Sequence, residues 1–515
     1  MSRTRLFAVV VLLVLSGCAL PGSPDEFDTD RELGHVGDYA HDDVFEFDAS
    51  DGLTEAQLEA VKYRSMARIE VVRGLKYERD VDLEVMSRAE YRDRRASDTE
   101  NASAFTNELW RGAFVVDGET DVNRAFADLY GSSIQGYYVN DRIVIITDDT
   151  DEIRIDREIL VHELTHALQD QHFGLARESE TIDGIRAENG LIEGEAGYVP
   201  VQYDRRCGNE WQCLPDSQVS AASDDEIAQR PFNVGLFLSI YVPYAEGPTF
   251  VTALYDRGGW DAVDAAHDAP PQSTAQLIHP ERYPDADPVD VAIPDRSSDE
   301  WQPITDGGDG DDGEIRTETI GEATLFATLW ANGIIERPLR EGATERSQYN
   351  YSHPATAGWA GDSLHVYQQT DEPSQTGHVW RLAWESPSDA TEFADAYRRL
   401  LANQGAERVD TAGNSIYRIP DGEAFEGVYR ISVTGETVEI VGAPTVDDLE
   451  AIHPTESGSN QGGSGGALEP AVSLERTAAA GPTATAGPTA TAASSRPAAS
   501  FPIGPPKTPR APTDG

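Results

Sequence analysis

Residues 159–172 read ILVHELTHALQDQH. Two histidines four residues apart, His162 and His166, face the same side of an α-helix because 3.6 residues complete a turn, so both imidazoles can reach one ion. Glu163 sits one step round, where its carboxylate reaches a water beside that ion without taking a coordination position. Ile159, Leu160, Leu164, Ala167 and Leu168 give this helix apolar surface to bury, which argues against a merely solvated pair of histidines. A third protein ligand decides between a metal centre and an accident, since catalytic zinc takes three protein ligands and keeps a fourth position open.

Upstream, GYYVNDRIVIITDD (136–149) carries a β-branched run, Ile143 to Thr147, behind a polar Asn140-Asp141 turn, which predicts strands and an edge-strand candidate. The motif helix is expected to start near Ile155 or Asp156. Downstream, GIRAENGLIEGEAGYV (184–199) opens a second predicted helix, 184–203, bearing Glu188, Glu193 and Glu195. Glu193 lies 27 residues past His166, which leaves room for a loop and a returning helix.

HELTHALQDQHF followed by EGEA resembles the gluzincin class of zinc metallopeptidases, in which a glutamate on the next helix completes a His/His/Glu site. The resemblance implies one Zn2+ held by His162, His166 and Glu193 (rather than Glu195), Glu163 as proton acceptor, and a peptide or protein substrate. The segment 242–283 and the stretch GWAGDSLHVY (358–367) are similar to parts of a group of exported bacterial and haloarchaeal proteins, and point to its haloarchaeal surface-lipoprotein branch. The likeness spans roughly residues 130–450. One departure stands out: many gluzincins carry an aspartate four residues after the ligand glutamate, and here that position is Gly197. Asp170 and Glu195 are the candidates to orient a liganding histidine in its place. His279 and Tyr283, with Tyr241 and Tyr244, are candidate donors to a transition-state oxyanion, and His172 reads as packing or loop.

The chain has 91 acidic against 40 basic residues, a formal charge of −51, and lysine only at 62, 76 and 507. Such a surface repels nucleic acid, so no nucleic-acid partner is expected. The balance resembles that of proteins from extreme halophiles. At the start, MSRTRLFAVVVLLVLSGCALPGS has two arginines, an apolar run too short for a bilayer, and Leu15-Ser16-Gly17-Cys18. This resembles a lipoprotein signal, with Cys18 lipidated and the protein held on the outer face of the cell membrane. The Arg-Thr-Arg spacing misses the strict twin-arginine pattern. Cys207 and Cys213 are expected to form a disulfide in an exported chain. Asn101 and Asn350 head glycosylation sequons.

Composition divides the chain into a signal peptide (1–18), an acidic linker (19–52), a mainly helical zincin-like domain (53–300), an acidic Gly linker (301–314), a small α+β domain with an antiparallel sheet (315–455) and a disordered Gly/Ser/Ala/Thr/Pro-rich tail (456–515). Helices are expected over 103–113, 120–130, 217–229, 232–257 and 319–334, and an irregular stretch over 267–288. The expected fold class is α+β, and the expected function is that of an exported, lipid-anchored zinc metallopeptidase. The alternative is a non-catalytic binding or envelope-structural lipoprotein that retains the zincin-like fold.

Overall fold

The computed structural model describes residues 27–455 except 48, 50–51, 97–99, 131–135, 148–152, 215–231, 307–312, 345–346, 348 and 412–413. Cys18, the helix expected over 217–229 and the tail from 456 lie outside the described residues. The fold class is α+β, with helices and antiparallel sheets.

Residues 27–47 differ from the solvated linker that their acidity suggests. They fold over the first long helix, forming a small hairpin, β1 (His35–Val36) and β2 (Tyr39–Ala40). That helix, α1 (Glu55–Arg73), starts at a reciprocal box: Thr54 Oγ1 accepts from Gln57 N, and Gln57 Oε1 accepts from Thr54 N. It stops at Gly74, whose φ of 78° needs no side chain in the way. Charges place the strap on α1. Arg31 forks onto Glu70 at 2.6 and 2.7 Å, and the Arg64 guanidinium lies 3.7 Å above the Phe45 ring.

Next come β3 (Asp82–Ser87), α2 (Arg88–Ala96), α3 (Ala104–Gly112), α4 (Val122–Tyr130), β4 (Gly136–Val139) and β5 (Arg142–Thr147). The three strands form a sheet of order β3-β5-β4, with β3 parallel and β4 antiparallel to β5. Asn140 and Asp141, both at positive φ, make the two-residue turn that matches strand twist. Period two divides the sheet between two cores: Ile143 and Ile145 face α1, whereas Val144 and Ile146 join the main core. β4 is an edge of this sheet.

Among the described residues five helices follow: α5 (Arg157–His172), α6 (Ile182–Asp204), α7 (Val234–Gly258), α8 (Trp260–Asp268) and α9 (Thr274–Ile278), the last followed by a 3-10 turn at Pro280–Arg282. The stretch 267–288, expected to be irregular, thus has a short ordered helix. α6 and α7 meet backbone to backbone: a Cβ added at Gly194 would collide with Gly247 O, and one added at Gly247 would collide with Gly190 O. Glycine permits this approach, which brings α7 side chains up to those of α6.

The C-terminal part contains β6 (Trp301–Pro303), β7 (Thr317–Glu318), α10 (Gly321–Ala331), α11 (Pro354–Ala357), β8 (Trp359–Gln369), β9 (Thr376–Trp384), α12 (Pro387–Asn403), β10 (Glu407–Thr411), β11 (Asn414–Ile419), β12 (Gly427–Thr434), β13 (Thr437–Ala443) and α13 (Val446–Ile452). Its antiparallel sheet runs β10-β11-β12-β13-β9-β8-β6, with β7 also on β8. The acidic Gly segment does not separate two cores. Trp110, Phe114 and Leu238 share one apolar cluster with Phe326, Trp359 and Trp380, because α10 buries apolar side chains against α7.

Buried carboxyls brace the fold, and those of Glu108, Glu318 and Glu246 cross between the two parts. Glu108 accepts from His378, Arg111 and Thr376; burial raises its pKa, but Arg111 and His378 outweigh that and hold it down to about 2. Asp183 accepts from Thr274, Glu318 from the Ile182 and Thr319 amides, and Glu246 from the Tyr351 amide. Burial pushes each of these three up to about 7. In the unfolded chain they titrate near 4, so between about pH 4 and 7 the folded state holds more protons, and raising the pH removes stability. In constant high salt, the Tm at pH 8 is expected to fall below that at pH 5.5 by about 5 °C or more. A Tm that is unchanged or higher at pH 8 contradicts this account of the three carboxyls.

Candidate metal centre

α5 starts where Asp156 caps it, its Oδ1 accepting from Glu158 N at 2.8 Å. Leu160, Val161, Leu164, Ala167 and Leu168 are buried on it, and α6 packs alongside. With its position fixed on several sides, the helix aims His162 and His166 at Glu193 of α6. The three donor atoms form a near-equilateral triangle: His162 Nε2 to Glu193 Oε2 is 3.2 Å, His166 Nε2 to the same oxygen 3.2 Å, and Nε2 to Nε2 3.1 Å. Three donors about 2.0–2.1 Å from one tetrahedral zinc lie about 3.3 Å apart, so the triangle fits such an ion. All three residues are buried.

The tautomer of His166 follows from its neighbours. Gln169 Nε2 donates to Ile192 O and to Glu195 Oε2, each at 3.0 Å, which orients the amide. Gln169 Oε1 therefore accepts, and His166 Nδ1, 2.9 Å away, carries the hydrogen. In the neutral ring this leaves the Nε2 lone pair pointing into the triangle. Glu195 is in turn held by Arg73 Nε at 2.5 Å and His267 Nε2 at 2.7 Å. Burial raises its pKa, but Arg73 and then His267 outweigh this and keep it well below the usual carboxylate range. Tyr244 OH donates to Glu193 Oε1 at 3.1 Å, holding the carboxylate from α7. Burial raises the Glu193 pKa, and His166 and His162 bring it down to about 2, so this carboxylate is set to share a cation.

Glu163 is fully buried; among the described residues its carboxylate oxygens make no side-chain hydrogen bond, and the Tyr138 backbone is the donor that faces it. Burial first, and Glu193 second among the groups that raise it, push its pKa up to about 8 against the opposing pull of His162. A bare buried carboxylate is costly unless its surroundings use it. Its position beside the triangle is what a proton-accepting group for hydrolysis requires.

The other sequence candidates fall in several places. Glu195 reaches His166 through Gln169, whereas Asp170 accepts from Tyr138 OH at 2.7 Å and does not orient either histidine. Gly197 faces α7, where a Cβ comes within 3.1 Å of Pro248, so an aspartate there would point at α7. His279 pairs with Glu322 at 3.0 Å and Tyr283 donates to Ala269 O at 2.6 Å; neither bond involves the triangle. His172 bonds to Lys76 O. Cys207 and Cys213 are disulfide-bonded. Asn101 is exposed, while Asn350 is half-buried and its Oδ1 accepts from Ser352 N. Gln169, Arg73 and His267 were not anticipated. Gln169 is three residues past His166 and could have been found from helical spacing; Arg73 is 122 residues from Glu195, beyond any local signal.

Gln169→Leu removes the acceptor for His166 Nδ1 while keeping the volume. Zinc affinity is expected to drop by about 10- to 100-fold, measured by competition with a chromophoric chelator. Unchanged affinity would mean that the Gln169 bond is incidental.

A family model described as a domain of unknown function (DUF8575) matches residues 305–453, the part from β7 to α13, and not the part that holds the triangle. No curated protein and no solved structure matches the chain.

Proposed function

We propose that this chain is a zinc-dependent peptidase with a zincin-like N-terminal part, exported and anchored by lipid at Cys18 to the outer face of the cell membrane. The observation that carries the reading is the His162/His166/Glu193 triangle with the fully buried carboxylate of Glu163 beside it. The anchoring rests on the Leu-Ser-Gly-Cys sequence at 15–18.

When bound, zinc supplies polarisation of the scissile carbonyl and a lowered pKa for water. Gln169 keeps the His166 hydrogen on Nδ1, and Tyr244 keeps Glu193 turned toward both rings. Glu163 takes the proton of the attacking water and delivers it to the leaving amine. The high proton affinity that burial gives Glu163 falls when a cation occupies the triangle, which brings it toward the range a general base needs. β4 lies at an edge of its sheet among the described residues, the place where an extended peptide can add as a further strand, and its Tyr138 backbone faces Glu163.

Quenched fluorescent peptides or casein, assayed in high salt, test this reading. Hydrolysis that a chelator stops and zinc restores supports it. One equivalent of zinc with no hydrolysis of any peptide favours the binding-module alternative instead.

A further inference from the structure

Arg177 lies in the turn between the two helices that supply the triangle. Its Nε donates to Asn189 Oδ1 and its Nη1 to Leu175 O, both neutral oxygens. Among the described residues it makes no ion pair, in a chain with 91 acidic residues. Arg31, Arg73 and Arg111 each sit on a carboxylate, whereas buried Arg64 and Arg68, like Arg177, donate to neutral groups; Arg177 differs from those two in being tethered to the helix that carries Glu193.

The guanidinium is also well placed and well held. Asn189 is four residues before Glu193 on α6, so its partner sits one helical turn from the proposed zinc ligand, on the same face. The following residues are clamped to α6, because Glu188 accepts from the Glu178 and Ser179 amides at 3.0 and 2.8 Å. Glu193 is engaged by the two histidines and Tyr244, and Glu188 by those amides, so neither neutralises the arginine through direct contact. Burial disfavours its charge, and Glu193, Glu188 and Tyr244 are the groups whose fields act on it. A preorganised, half-buried cation without a counter-ion gains most from an anionic ligand that brings two oxygens.

We propose that Arg177 recognises a carboxylate of the peptide bound at this site, within one or two residues of the scissile bond. The word scissile rests on the peptidase reading; recognition does not. Two sources share this chemistry, the free C-terminus of a peptide and an Asp or Glu side chain. Long-range repulsion from a charge of −51 is screened in strong salt, whereas contact with a half-buried group survives it.

The test uses the zinc-loaded Glu163→Gln chain, which binds without cleaving, titrated calorimetrically with acetyl-Ala-Phe, its C-terminal amide, and acetyl-Asp-Phe amide. The free acid, the aspartyl amide or both are expected to bind about ten-fold or more tighter than the neutral amide, and the one that does names the source. Adding Arg177→Gln should abolish the preference with zinc content unchanged, and Arg177→Lys should retain part of it. Should the Arg177→Gln chain not fold, Asn189→Ala, which frees the guanidinium from its tether, is expected to lower the same preference. Equal or undetectable binding of all three peptides, or a preference that survives Arg177→Gln, overturns the proposal. If the preference holds but wild type cleaves neither these peptides nor the quenched peptides or casein, the peptidase reading fails and the role of Arg177 stands.

Discussion

Glu163→Gln in the zinc-loaded chain is expected to slow peptide hydrolysis by about 10²- to 10⁴-fold while leaving zinc content unchanged. The substitution keeps the shape and removes only the ability to take a proton. Because the carboxylate is fully buried and, among the described residues, faces no side-chain hydrogen-bond partner, a neutral isosteric amide costs the fold little, so Tm should hold or rise. This pairing of outcomes separates a catalytic role from a structural one. A structural carboxylate would show a lower Tm and altered metal content. Activity equal to wild type would remove Glu163 from the chemistry.

Glu193→Ala is expected to weaken zinc binding by about 10³-fold or more. One corner of the triangle disappears, Tyr244 loses its acceptor, and the two Nε2 atoms 3.1 Å apart are left with no anion between them. Glu195→Ala makes the informative contrast. Glu195 touches Arg73, His267 and Gln169 but contributes no atom to the triangle; its loss leaves buried Arg73 with Asp264 as its remaining carboxylate and costs about 1–3 kcal/mol of stability. Its effect on zinc should be the smaller one, transmitted only through Gln169. Competition titration against a chelator, with thermal melting of both variants, ranks the two glutamates. If Glu195→Ala loses zinc and Glu193→Ala keeps it, the ligand assignment is reversed.

What could be read in the sequence was local. The Asp156 start of α5 and the periods of α3, α4 and α6 all depend on residues within a turn or two of each other, and each lies within two residues of its expected place. The His162/His166 pair was legible for the same reason. The strap 27–47 was not, because its acidity is shared with true linkers and its partners Glu70 and Arg64 lie on α1, reached only by folding back. Nor was the separation of the two parts: the Gly-rich acidic stretch looks like a boundary, yet α10 carries its apolar residues into the core under α7. At the site, Asp170 was the chemically obvious partner for a histidine, but at four residues past His166 it faces Tyr138, and Gln169 at three takes the bond. Arg73 and His267 enter from α1 and α8, and no spacing along the chain announces them.

The central claim is that His162, His166 and Glu193 hold one metal ion. It is tested most directly by zinc content after purification and dialysis in high salt, measured on wild type and Glu193→Ala side by side. About one equivalent in wild type and less than about a tenth in the variant is the predicted result. A wild-type chain that binds no metal when zinc is supplied, or a Glu193→Ala chain that retains a full equivalent, would contradict it.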